Sequence, residues 1–90
     1  MITVRHLSGD EYEVKVSGTT VTIHRVTLRE ADRQRLGGKN VSAKQLVEES
    51  FRFLLERESL TSILRSFDLP VIGKYFPEYE REIRKRVAQG

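Results

Sequence analysis

Cysteine and tryptophan are absent from this 90-residue chain, methionine occurs once and proline twice. Without cysteine there is neither a disulfide staple nor a thiolate metal site, which fits a reducing cytoplasm. Histidine is scarce as well. A metal site built on His6 and His24 would need a third ligand such as Asp10 or Glu11. Long apolar runs are missing: Phe53-Leu54-Leu55 is the longest, against the roughly 18–20 residues of a membrane-spanning helix. Met1 to His6 offers neither a basic n-region nor an apolar h-region, so no secretory signal peptide is expected.

What remains is a charged and moderately apolar chain, 32% charged and 38% hydrophobic, with net charge +3. That composition predicts one domain over 1–90 with a modest core. A chain of this size buries only about 60–65% of the surface its unfolded form exposes, so its stability is expected to be marginal. Residues 1–27 are neutral, 28–45 carry +3, 46–60 carry −2 and 61–90 carry +2. Two mildly basic zones around an acidic one permit polyanion binding without requiring it.

Residues 1–26 read as strands. Tyr12-Glu13-Val14-Lys15-Val16 alternates apolar and charged side chains, Val21 to Val26 is β-branched, and Ser17-Gly18-Thr19 between them is turn chemistry with Gly18 free to take positive φ. Ile2 to Leu7 is a third strand candidate. Thr27-Leu28-Arg29-Glu30 predicts a capping box opening a short helix that stops at Gly37-Gly38 and buries Leu28, Ala31 and Leu36. Ser42 to Gln45 predicts a second box, opening the central core helix of Ala43, Leu46, Val47, Phe51, Leu54 and Leu55, which ends near Glu58. Leu60, Ile63, Leu64 and Phe67 have helical spacing, and Leu69-Pro70 ends that segment. Val71 to Phe76 is expected as a short helical turn. Pro77 is expected at the first position of a last helix carrying Tyr79, Ile83 and Val87, with Glu80–Arg84 and Glu82–Arg86 pairs. The fold class is therefore α+β: a small antiparallel hairpin or sheet of two or three strands (1–26) packed against a bundle of three to five helices (27–90).

No catalytic constellation emerges. The serines 42, 50, 59, 62 and 66 read as caps and small helix residues, and none has an identifiable base. Gly37-Gly38-Lys39 and Gly73-Lys74 lack the framing of a phosphate loop. Glu48, Glu49, Glu56 and Glu58 fit the wet side of an amphipathic helix. His6 and His24 read as neutral histidines on the sheet surface. Tyr75, Phe76 and Tyr79 gather around Pro77 and, with Phe67 and Ile72, form either core or a binding patch.

Thr20 to Leu55 runs strand, short helix, glycine turn, serine-capped helix, an order similar to ribbon-helix-helix DNA-binding proteins. That resemblance implies a dimer with Thr20, Thr22 and His24 facing the major groove and the Ser42 helix N-terminus near phosphate. The strand Tyr12–Val16 would occupy the pairing edge such a dimer needs. Val41 to Glu82, and especially Phe67-Asp68-Leu69-Pro70-Val71-Ile72-Gly73-Lys74-Tyr75-Phe76-Pro77-Glu78-Tyr79-Glu80, resembles a family of short, uncharacterised bacterial proteins with an FDLxVIxxYFPEYE-type segment. It implies a bacterial, cytoplasmic protein with a hairpin-plus-helices fold and carries over no catalytic residues. The expected function is a non-enzymatic protein-interaction or regulatory module; the alternative is a dimeric ribbon-helix-helix-like DNA-binding regulator. The expected partner is another protein or a second copy of the chain, with no cofactor, no metal and no membrane.

Overall fold

Alternation of apolar and polar side chains makes the first 27 residues a sheet. The computed structural model describes residues 1–89. Strands β1 (Ile2–Ser8), β2 (Glu11–Ser17) and β3 (Val21–Thr27) form an antiparallel meander. Val14 lies opposite His24 and Val16 opposite Thr22, so one face buries Val14, Val16, Thr22, His24 and Val26. The other face presents Arg5, Lys15, Ile23 and Arg25 to solvent. The β2–β3 turn needs Gly18 for space rather than for dihedral freedom. Its φ is not positive, and a Cβ there would lie 3.1 Å from the Leu60 side chain.

The capping box expected at Thr27 does not form. Thr27 is the last residue of β3, paired with Glu11 on one side and Asp68 on the other, and the Leu28 amide donates to the Asp10 carbonyl at 2.8 Å. Cross-strand bonds hold the chain extended past the point where a local signal would start a helix. Helix α1 (Glu30–Gly37) begins after an extended Arg29 with no side-chain cap. The Glu30 carboxylate turns to Arg33 and Gln34 instead, and these bonds, Arg33 first, pull its pKa down to about 2. Leu28 and Leu36 are buried as expected, whereas Ala31 is exposed. Gly38 closes the helix at φ 78, its amide donating to Gln34. The Arg33 guanidinium then donates to the Val41 carbonyl at 2.6 Å, tying down the turn into the next helix.

Helix α2 (Ala43–Leu55) starts where the sequence places it, with the Ser42 hydroxyl accepting from the Gln45 amide at 3.1 Å. Leu46, Val47, Ser50, Phe51, Phe53 and Leu54 are buried on it. The helical reading of residues 60–67 is overturned. A 3-10 turn at Leu60–Ser62 leads into β4 (Ser66–Asp68), which pairs parallel to β3 and completes a sheet of order β1-β2-β3-β4. The spacing of Leu60, Ile63, Leu64 and Phe67 is helical, but β3 had one edge unpaired, and satisfying it outweighs a weak local preference. Helices α1 and α2 thus form the crossover between parallel strands.

A 3-10 turn at Leu69–Val71 and helix α3 (Ile72–Tyr75) follow, then α4 (Tyr79–Gln89). Pro77 precedes α4 rather than opening it; Glu78 accepts the first helical bond, from Glu82. Arg84 reaches Glu80 as expected, while Arg86 bypasses Glu82 for Glu56 at 2.6 Å. The core lies between the sheet and α2 with α4 against it. At its centre Tyr79 is fully buried and stacks edge-on against Phe53. The Ser50 hydroxyl gives its proton to the Leu46 carbonyl, so the Tyr79 hydroxyl must donate to Ser50, at 2.7 Å. Burial raises the Tyr79 pKa and keeps the phenol neutral.

Tyr79→Phe, which deletes that one bond, is expected to cost about 1 kcal/mol, and Tyr79→Ala about 3–5 kcal/mol. Circular dichroism melts should register the first as a drop in Tm of about 4–8 °C. The second removes a large part of the about 5–13 kcal/mol that a chain of this length has in all, so its melt should fall far lower.

Candidate apolar groove

The corner after β4 creates a feature with the shape of a site. Pro70 turns the chain sharply after Phe67, α3 is too short to close over it, and the end of α2 lies alongside. Between them is an open groove of about 140 Å³. Leu54, Ile63 and Ile72 are its buried lining residues, and Phe67, Val71 and Phe76 are half-buried. Leu64 and Tyr75 remain 47% and 66% exposed at its margin. Glu58 is the charged lining residue, and Ser62 adds a hydroxyl.

Of the five aromatic and apolar candidates read from the sequence, Phe67, Ile72, Tyr75 and Phe76 do line this groove. Tyr79 does not; it belongs to the core. The segment around Pro77 is therefore both core and surface, divided residue by residue. Leu54, Glu58, Ser62, Ile63, Leu64 and Val71 complete the lining and were not marked as site residues by the sequence. Their convergence depends on β4 pairing with β3 across some forty positions, for which the chain carries no local signal.

His24 requires a correction. It is not on the sheet surface but fully buried, edge-on to Phe51 at a centroid distance of 5.2 Å. Its Nδ1–H donates to the Leu64 carbonyl at 2.7 Å. In the neutral ring Nε2 is then an acceptor, and the Thr22 hydroxyl donates to it at 2.8 Å. Thr22 and His24 thus spend their polar atoms inside the protein, while Thr20 is exposed in the β2–β3 turn and Ser42 caps its own helix. The four residues proposed for groove contact with DNA do not share a surface. The strand that would pair across a dimer, β3, has neighbours on both sides. His6 lies against Tyr12 at 4.9 Å, with Nε2 bonded to the Gly9 carbonyl, and no group of metal-ligating side chains occurs among the described residues.

The charged side chains around the helices mostly serve each other. Arg57 lies over the Phe53 ring at 3.6 Å and pairs with Glu78. Arg86 pairs with Glu56 and holds its carboxyl below the usual range. Arg84 donates to the Arg35 carbonyl, and Arg35 pairs with Glu80 at 2.6 Å. The basic run at the C-terminal end is thereby broken up rather than gathered. Among the described residues no helix is long and apolar enough to cross a membrane. No protein-family model matches the chain, and neither a curated protein nor a solved structure resembles it significantly.

Rim and floor should separate in thermal melts. Leu64→Ser and Tyr75→Ala are expected to change stability by no more than about 0.5 kcal/mol, as surface substitutions do. Ile72→Ala, which removes a buried floor residue, should cost about 2–5 kcal/mol.

Proposed function

We propose that the chain is a non-enzymatic protein-interaction module, and that its groove receives a segment of a partner protein presenting a bulky apolar side chain beside a lysine or arginine. The observation that carries this reading is an open apolar cleft in which Glu58, the charged lining residue, forms no ion pair among the described residues. Its neighbours Glu56 and Glu78 are taken by Arg86 and Arg57. Size supports the same reading. At about 140 Å³ the groove is smaller than the roughly 300–1,000 Å³ of a typical metabolite site, and it suits one anchoring side chain. Transfer of such a side chain from water contributes about 1.5–3 kcal/mol, so the complex would be transient unless flanking contacts add to it. Glu58 supplies orientation and faster encounter more than affinity.

Selection of displayed short peptides against the folded chain tests this, with a Tyr75→Ala/Glu58→Lys double variant as the counter-selector. Enriched peptides should pair a Phe, Leu or Met with an adjacent basic residue and shift the amide resonances of Leu64, Phe67 and Ile72. They should lose at least about tenfold in affinity on Glu58→Lys, because the reversed charge adds repulsion to the lost attraction. Peptides without that pattern, or shifts mapping elsewhere, would overturn the reading. A homodimer abolished by Tyr75→Ala would assign the groove to a second copy. Salt-sensitive binding of duplex DNA would favour the nucleic-acid alternative.

A further inference from the structure

We propose that His24 is a proton-operated latch on this groove: the neutral ring holds the Leu64 rim against β3, and protonation releases it. The inference rests on the docking reading above, since it concerns what opens and closes the same surface. One imidazole links three things. Its Nδ1–H donates to the Leu64 carbonyl at 2.7 Å, while the Leu64 side chain lines the groove. The next carbonyl, that of Arg65, accepts from the Arg25 amide at 2.8 Å. That bond leads into β4, which is only three residues long. A short parallel strand has little pairing of its own to hold it, so its approach to β3 leans on the side-chain bond beside it.

The neutral ring is satisfied at both nitrogens. A second proton would go to Nε2, and the Thr22 hydroxyl would have to rotate from donor to acceptor. The new charge would then lie among apolar groups. β2 presents Val14 at the paired position, α2 presents Phe51, and the rim segment presents Arg65, the charged group whose field reaches the ring among the described residues. Burial, chiefly, and the like charge of Arg65 depress the His24 pKa below its ordinary 6.5, outweighing the raising effect of the Leu64 bond. A released, hydrated ring titrates near that ordinary value. The open form therefore takes up the proton first as the solution is acidified. Above 6.5 the latch is indifferent to pH; below it, opening increases by up to about tenfold per pH unit until the closed ring itself titrates.

Amide hydrogen exchange on the full chain, corrected for intrinsic rates, tests this at two reporters three residues apart. The Arg25 amide is held by the Arg65 carbonyl, next to the latch, and the Leu28 amide by the Asp10 carbonyl, away from it. Between about pH 7 and about pH 5 the opening of Arg25 should rise by more than about twofold while Leu28 stays within about twofold. Equal rises at both amides would mean global unfolding and would overturn the latch, as would no rise at Arg25. In His24→Gln the side-chain amide can donate to Leu64 and accept from Thr22 without titrating, so the rise at Arg25 should vanish; its persistence would overturn the proposal. Phenethylammonium, an aromatic ring with an ammonium group, serves as the groove probe in the same samples. Its failure to shift the groove resonances at either pH would overturn the docking reading alone.

Discussion

The parallel pairing of β4 with β3 is the constraint on which the rest of the structure depends. β3 is the only strand with neighbours on both sides that differ in direction, antiparallel β2 and parallel β4. That arrangement forces the chain between them into a crossover, which α1 and α2 provide, and α2 brings the largest share of the buried apolar side chains onto the sheet. It also brings Phe67 against Val26 in register. The corner at Leu69–Val71 and the groove beyond it exist only because β4 ends where it does.

Polar groups inside the core follow the same logic. Three buried hydroxyls and one imidazole are each consumed by named partners, Ser50 with Leu46 and Tyr79, Thr22 with His24, and His24 with Leu64. Among the described residues no buried side-chain nitrogen or oxygen is left without a partner. Such closed sets fix which residue lies beside which, where apolar packing alone would tolerate slippage. The Ser50–Tyr79 bond joins α2 to α4, and the His24–Leu64 bond joins β3 to the segment before β4. The helical layer and the sheet edge each contain one of these closed sets.

Much of this was legible in the residues. Period-2 alternation in Tyr12 to Val16 and Val21 to Val26 marks the hairpin, Ser42 marks the start of α2, and Gly37-Gly38 and Pro70 mark stops that the structure uses. Phe67, Ile72, Tyr75 and Phe76 could be grouped by proximity in the chain. What failed was every inference in which a distant partner competes with a local preference. Thr27 has a good capping pattern but belongs to a ladder on both sides. Leu60 to Phe67 has helical spacing but meets an unpaired strand edge. His24 sits in an alternating strand, and alternation does not say which face is buried; Thr22 on the same face made the polar reading natural. Each of these reversals comes from long-range contacts of β3, and its pairing with β4, separated by some forty residues, leaves no mark on the sequence nearby.

The separation has a consequence for how the chain is made. Translation delivers β1 to β3 first, and that meander closes through neighbours in sequence, on the microsecond scale of hairpins. β4 emerges only after both crossover helices, so the long loop it closes makes its docking a late event. Until then the growing polypeptide displays an unmatched backbone ladder on β3, a template for any other extended chain nearby. The exposure of that β3 ladder ends only when β4 has emerged and docked.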